Sequence, residues 1–360
     1  MTAELIFIGM DLLEQEAAKD GSRYLAEKCK RFGFSFNGIS LVREDDKKQV
    51  TETVKAGLKR SDLVFVCTKT GELLEGLPKT LTQEKGLILL PQEEEKMAVV
   101  LEERLACCLE EKQAGAVCCD TVKLCGLEEK EIREKIRDLQ EEKQNPVLQV
   151  FSYPGEVHIC AAAYGETKKA AKNLLKPVIR ELKVRFGADI YTTEENKNLE
   201  TAVVELLKKQ DLTLTTVESC TGGALAARII NVPGASDVLK QGFVTYSNKA
   251  KRKAVKVKKH TLKKYGAVSE PCAREMAKGG AFASGADTAL SVTGFAGPEG
   301  GTKEFPVGTV FIGCTVKDQT RVKECHFTGN RSSVREQAVT QALVLLRECI
   351  LKNFEQKSGK

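Results

Sequence analysis

Apolar residues in this chain fall into short continuous runs separated by amphipathic segments. Residues 3–9 (AELIFIG) form a run of strand length that stops at Gly9. Residues 19–33 carry helical spacing through Tyr24, Leu25 and Cys29 and close at Gly33. Residues 35–42 read as a strand and 47–60 as a helix with Val50, Val54 and Leu58 on one face. Residues 62–68 and 86–91 are further apolar strands, the second followed by a helix. Uninterrupted strand runs alternating with helices predict a parallel sheet covered on both faces.

From about residue 115 the pattern changes. AGAVCCDTVKLCG is strand-like, 127–143 is a charged helix, and PVLQVFSYPGEVHICAAA predicts a hairpin turning at Pro154–Gly155. A helix over 166–186 and the strand GADIYT complete a β-α-β-β-α-β module. The polar stretch TTEENKN, 192–198, is a linker. Beyond it come a helix (199–210), a strand (212–218) running into SCTGG, and the helix ALAARII. The strands GFVTYS, TALSVTG and GTVFIGCTV and a closing helix over 332–352 make this part α/β as well. The expected division is 1–112, 113–192 and 199–354.

Composition narrows the class. In 360 residues, 42% hydrophobic content is enough for a sizeable core and argues against wholesale disorder. No apolar run approaches membrane-spanning length, and the N-terminal residues lack the basic start and cleavage site of a signal peptide. The thirteen cysteines include no CxxC pair, and several lie inside apolar runs, which predicts buried reduced thiols in a cytoplasmic protein rather than disulfides or zinc. The net charge of +6 is concentrated in residues 249–264, where nine Lys or Arg occur with no acid. That run, with one aromatic at its end (Tyr265), reads as a solvated lysine-rich helix face, so nucleic acid is not expected as a partner.

Four clusters carry candidate chemistry, all at strand C-terminal ends or in nearby loops. The first is Glu218-Ser219-Cys220-Thr221-Gly222-Gly223 ahead of a helix, whose N-terminus offers free amides and a positive dipole end. A hydroxyl there can act as a nucleophile beside its own oxyanion donors, although Ser219 or Thr221 capping the helix is the commoner use of such residues. The second groups Tyr246, Ser247, Asn248 and Lys251; a desolvated lysine can serve a serine as general base. The third is the glycine-rich TGFAGPEGG, 293–301, and the fourth GNRSSVR, with Arg331 and Arg335 able to fork to a phosphate or carboxylate. Ligands of α/β sheets sit at these strand ends.

VESCTGG, GFVTYSNKAK, YGAVSE, SVTGFAGPEGG and PVGTV occur in the order and spacing of the CinA C-terminal domain, which residues 200–351 resemble. The resemblance implies an amidohydrolase that converts nicotinamide mononucleotide to nicotinate mononucleotide and ammonia. It implies Ser219 as nucleophile, Lys251 as its base and Tyr246 as third catalytic member. Thr221, Gly222 and Gly223 resemble the substrate and oxyanion loop, Thr293, Gly294 and Ala296 a second pocket wall, and Arg331 a phosphate contact. No metal or cofactor is implied; the expected partner is nicotinamide mononucleotide or a similar small amide, and the family implies a homodimer or larger oligomer without membrane attachment. One departure is Phe305, where the family has a lysine before PVG.

AELIFIGMDLL, SRYLAEKCKRFGF, REDDKKQV and RSDLVFV resemble the other half of full-length CinA proteins, a molybdopterin-binding-like domain linked to metal-dependent ADP-ribose pyrophosphatase activity. Its GGLGPT loop and following aspartates are replaced here by CTKTGELLEGLPKTL, and its PGPP segment by Pro91-Gln92-Glu93-Glu94. Asp11, Asp45 and Asp46 remain, too few carboxylates to hold a metal against a pyrophosphate. The expected fold class is therefore α/β throughout: a shortened molybdopterin-binding-like domain with its pyrophosphatase activity lost, a KH-like α+β module without the GXXG loop, and a CinA-type amidohydrolase domain. The competing readings are a nucleic-acid-associated competence or DNA-damage protein and a non-catalytic scaffold.

Overall fold

The computed structural model describes residues 2–9, 25, 29, 34–69, 72, 86–93, 96, 97, 99–101, 116–142 and 145–358. The chain divides into two compact units, Met1–Thr121 with Glu134–Val150 and Ile159–Arg185, and Val122–Arg133 with Phe151–His158 and Phe186–Lys360.

In the first unit, β1 (Thr2–Ile8), β2 (Ser35–Val42), α1 (Lys47–Arg60), β3 (Leu63–Thr68) and β4 (Leu87–Pro91) build a sheet of order β2-β1-β3-β4. All of its pairings are parallel, and every residue of β3 is buried, which is why its sequence reads as an unbroken apolar run rather than an alternation. Val50 and Val54 of α1 pack on one face with Ile6, Val64 and Val66, while Leu5, Phe7, Phe65 and Leu90 face the other with Leu25 and Cys29. Those last two, both helical, are what is described of the helix expected over 19–33. Asp46 caps α1 by accepting from Gln49 N at 2.9 Å, and Asp45 is paired with Arg43 at 3.0 and 2.5 Å. Asp11 and most of the loop at 67–81 lie outside the described residues.

Next follow β5 (Ala116–Cys125), α2 (Glu129–Lys135), α3 (Arg137–Glu142), β6 (Val147–Tyr153), β7 (Glu156–Gly165), α4 (Lys168–Phe186) and β8 (Ile190–Thr192), with sheet order β6-β7-β5-β8. The single helix expected over 127–143 is two, broken at the buried Ile136. The hairpin turn falls at Pro154–Gly155, with Gly155 at φ +80°, a conformation that only glycine adopts readily.

The remainder of the second unit comprises α5 (Leu199–Lys209), β9 (Leu214–Glu218), α6 (Ala224–Ile230), β10 (Leu239–Val244), α7 (Asn248–Val255), α8 (Lys259–Tyr265), α9 (Glu270–Ser284), β11 (Thr288–Gly294), β12 (Thr309–Val316), β13 (Gln319–His326) and α10 (Arg331–Ser358). The five-stranded sheet runs β10-β9-β11-β12-β13; β10, β9 and β11 are parallel and the last two strands antiparallel. The strand β13 and helix α9 were not anticipated. Period-2 alternation puts Leu214 of β9 into a core shared with α5, α6 and α10. Val217 turns to the opposite face, against Val255 of α7 and Cys272 and Met276 of α9. Ser269 caps α9 by accepting from Cys272 N, and Gly285 at φ +66° ends it.

None of the described cysteines is in a disulfide, and nine of them are buried, among them Cys220 and Cys272. Among the described residues no helix is long and apolar enough to cross a membrane.

Helix α9 approaches α7 at glycine distance. A Cβ built on Gly279 would stand 1.8 Å from the Val255 carbonyl oxygen, and one on Gly280 2.3 Å from Val217 Cγ2. Alanine in a helix interior is ordinarily favoured over glycine by about 1 kcal/mol. Overpacking of this kind costs about 1–3 kcal/mol, so the clash decides the sign. Gly279→Ala is expected to lower the urea midpoint of the full chain; an unchanged or raised midpoint would show that α7 and α9 are not held at this separation.

Candidate active site

The parallel strands β9, β10 and β11 end side by side, with Glu218 paired to Val244 and to Val292. The chain therefore delivers three loops to one place. Ser219 follows β9 directly; its N–H closes the ladder on Val292 O at 2.9 Å. Thr245 follows β10, its N–H bonded to Glu218 O at 2.7 Å. Ser247 then caps α7 by accepting from Ala250 N at 3.1 Å, which sets Lys251 one turn into that helix on the face buried with Val255.

Lys251 is 1% exposed. Its Nζ donates to Ser219 Oγ and to the Thr245 carbonyl, both at 2.8 Å. Burial pushes its pKa below the ordinary lysine value, with Cys272 and Cys220 acting weakly in the other direction. Burial also raises each of those thiols to about 11, so neither supplies a counter-charge at neutral pH. Ser219, 9% exposed, thus has a desolvated amine as its hydrogen-bond partner. The other eight cations of the run at 249–264 are exposed, spread over α7 and α8 on either side of Lys256, which is left-handed at φ +58°.

Neither Ser219 nor Thr221 caps α6. That position belongs to Gly223 at φ +99°, which has no side chain to cap with. The buried Glu218 carboxylate does the work instead, accepting from Gly223 N at 2.9 Å, Leu225 N at 3.0 Å and Ala226 N at 2.9 Å. The helix terminus that suggested an anion site is thus filled by the protein's own carboxylate. Gly222, at φ +62°, donates its N–H to Ser219 O at 3.2 Å. Of the amides in this loop, those of Cys220 and Thr221 have no oxygen acceptor among the described residues.

The remaining expected residues are arranged differently from the sequence expectation. Tyr246 is 65% exposed; its hydroxyl accepts from Arg331 Nη2 at 3.3 Å, and among the described residues no hydrogen bond joins it to Ser219 or Lys251. Arg331 also donates through Nη1 to Gly297 O at 2.8 Å, tying the glycine-rich loop to Tyr246. Thr293 is buried with its hydroxyl donated to Ala267 O at 2.7 Å. Ala296 packs into the core, and a Cβ on Gly294 would meet Val310 Cγ2 at 2.6 Å. What Gly294 and Ala296 can offer a ligand is backbone. Phe305 packs edge-on against Phe311, ring centroids 5.4 Å apart, and closes a turn in which Thr302 N donates to its carbonyl at 2.8 Å. It anchors the loop as an apolar plug.

Sequence reasoning gave Glu218 no role and Arg335 only a generic one. The signal for Glu218 was a single acid ending an otherwise uncharged buried strand. Arg335 donates from Nε to Cys220 O at 3.1 Å and from Nη2 to Thr221 O at 2.9 Å, which no spacing could show.

Residues 196–350 match the family model described as the CinA C-terminal domain, and residues 120–192 the one described as the damage-inducible protein CinA KH domain. The chain is 38% identical to a CinA-like protein of Kosmotoga olearia over 98% of this chain and 99% of that one. Its identity to a competence-damage inducible protein of Clostridium novyi is 31%, again over 98% and 99%. A solved CinA superfamily protein from Klebsiella pneumoniae is similar over 43% of this chain and 99% of its own, at 38% identity and a TM-score of 0.42.

The unfolded chain keeps a proton on a lysine amine up to about pH 10.4. In the folded chain Lys251 gives it up at lower pH, because burial depresses its pKa. Within that window folding releases a proton, so raising the pH stabilises the wild type relative to a variant lacking the amine. The stability difference between Lys251→Met and wild type is expected to move in favour of wild type between pH 7 and pH 10 in urea titrations. A difference independent of pH would remove the depressed amine.

Proposed function

This chain belongs to the CinA family, and from that premise we propose that it hydrolyses the amide of nicotinamide mononucleotide, with Ser219 as nucleophile and Lys251 as general base. The observation that carries the reading is the 2.8 Å bond between Lys251 Nζ and Ser219 Oγ, made by a buried amine that meets no carboxylate among the described residues. When Lys251 is neutral the bond reverses: the serine hydroxyl donates to the amine lone pair, while an amine hydrogen stays on the Thr245 carbonyl. This geometry points the lone pair at the proton to be removed.

In the reaction the Ser219 oxygen attacks the carboxamide carbon as its proton passes to Lys251. The carbonyl oxygen becomes an oxyanion and is stabilised by loop amides. Collapse of the tetrahedral adduct breaks the C–N bond, and the Lys251 ammonium returns its proton to the leaving ammonia. Water, deprotonated by the same amine, then cleaves the acyl-enzyme to the carboxylate product. Arg331 and Tyr246, bonded to one another and exposed, form the rim that meets the rest of the substrate. With the α6 terminus occupied by Glu218, the substrate phosphate is left to the Arg331 guanidinium.

For the N-terminal half we propose a structural role without pyrophosphatase activity. The support is the departure from the family's glycine-rich and acidic loop, with Asp46 committed to capping α1 and Asp45 to Arg43.

Ammonia release from nicotinamide mononucleotide is the direct test. Wild type is expected to release it and Ser219→Ala to fall by at least about 1,000-fold. The pH profile of kcat/KM is expected to rise to a plateau with a midpoint below the usual lysine value of about 10.4. Equal rates in the two proteins would remove Ser219 from the chemistry.

A further inference from the structure

Arg335 sits one turn into α10 and directs its guanidinium away from solvent onto two consecutive carbonyls of the loop after Ser219. Nε donates to Cys220 O at 3.1 Å and Nη2 to Thr221 O at 2.9 Å. The peptides of this loop are trans, the cis bonds among the described residues being those at Pro146 and Pro298. A trans peptide carries its C=O and the following N–H on opposite edges. Holding the Cys220 carbonyl toward α10 therefore turns the Thr221 N–H to the other edge. Holding the Thr221 carbonyl does the same for the Gly222 N–H, which meets Ser219 O at 3.2 Å. From the other end, Glu218 takes the amides of Gly223, Leu225 and Ala226. The loop is thus clamped twice, and the amides of Cys220 and Thr221 are the ones without an oxygen acceptor among the described residues.

We infer that Arg335 is a positioning residue, whose fork on the two carbonyls presents the Thr221 amide directly and the Cys220 amide through the Gly222 N–H held on Ser219 O, rather than the amides of the glycines, as the oxyanion donors for Ser219. This rests on the nucleophile reading above. Arginine suits the task because its planar fork reaches two carbonyls at once, whereas a lysine ammonium bonds as a point charge. The guanidinium also polarises the peptide it holds, so the N–H on its far edge becomes a stronger donor as negative charge builds on the substrate oxygen.

The test compares the full-length wild type with Arg335→Ala, Arg335→Lys and Arg335→Gln. Two readouts are taken: kcat and KM for ammonia release from nicotinamide mononucleotide, and the rate at which a tagged fluorophosphonate labels Ser219. Labelling forms the Oγ–P bond, expels fluoride and passes the serine proton to Lys251, and it places a phosphonyl oxygen where the oxyanion would be. Both kcat and the labelling rate are expected to drop about 100-fold in Arg335→Ala with KM nearly unchanged, the usual consequence of misplaced oxyanion donors. Added guanidinium is expected to restore part of the Arg335→Ala rate, and Arg335→Lys to remain slow. Should Arg335→Ala not fold, Arg335→Gln, which can hold one carbonyl, carries the same comparison. A raised KM with intact kcat would make Arg335 a substrate contact and overturn the inference. So would labelling at the wild-type rate in the variants. Failure of the wild type itself to label at Ser219 would instead overturn the nucleophile reading on which this one depends.

Discussion

The site depends on an amine taken out of water that meets no carboxylate among the described residues. Burial disfavours the charged form, which is why the Lys251 pKa lies below the ordinary lysine value. In the proposed reaction the neutral form of this amine, 2.8 Å from the Ser219 hydroxyl, is the general base. Much of the local architecture serves to hold this arrangement. Ser247 starts α7, the Thr245 carbonyl receives the amine, and the glycine face of α9 lets α7 lie close enough for Lys251 to be covered.

The second constraint is the use of charge at the head of α6. Helix N-termini invite anions, and a substrate phosphate would be the obvious guest. Here the guest is internal. Glu218, the last residue of β9, reaches over the loop and satisfies three amides of the following turn, so Ser219 is fixed between a strand end and a capped helix. The far end of the same helix is fixed too, with Arg228 bonded to Glu200 at 3.1 Å and to Thr340 at 2.6 Å. Together with the Arg335 clamp, these bonds leave the loop few ways to move. Rigidity of that kind is what an oxyanion site requires, because donors that reorient during the reaction contribute little.

The N-terminal half is organised by burial rather than by chemistry. Its parallel sheet is apolar on both faces, and Asp45 and Asp46, which follow β2, are engaged with Arg43 and the start of α1. Packing of strands such as β1 and β3 does not depend on the loops that connect them, so such a fold persists whether or not its loops carry a site.

Strands β2 and β11 and helices α1 and α6 were legible to the residue, because hydrophobic runs, periodicity and punctuating Gly, Ser or Asp are local properties. The seryl loop, the lysine and the glycine-rich segment were legible as candidates for the same reason. Strand β13 was missed because polar residues, the half-buried Thr320 and Lys323 and the exposed Glu324 among them, conceal its pairing with β12, which forms only across the Lys317 turn at φ +53°. The sequence by itself determined the family, the α/β character and the residue types available to the site. Only the tertiary structure decided that Lys251, and none of its eight neighbouring cations, is buried on Ser219; that Glu218 occupies the helix end; that Tyr246 turns outward to Arg331; and that Arg335 grips the loop. The Glu218 bonds span only five to eight residues but end on backbone amides identical in every residue, and the others join groups 32 to 115 residues apart, so no local pattern can encode them.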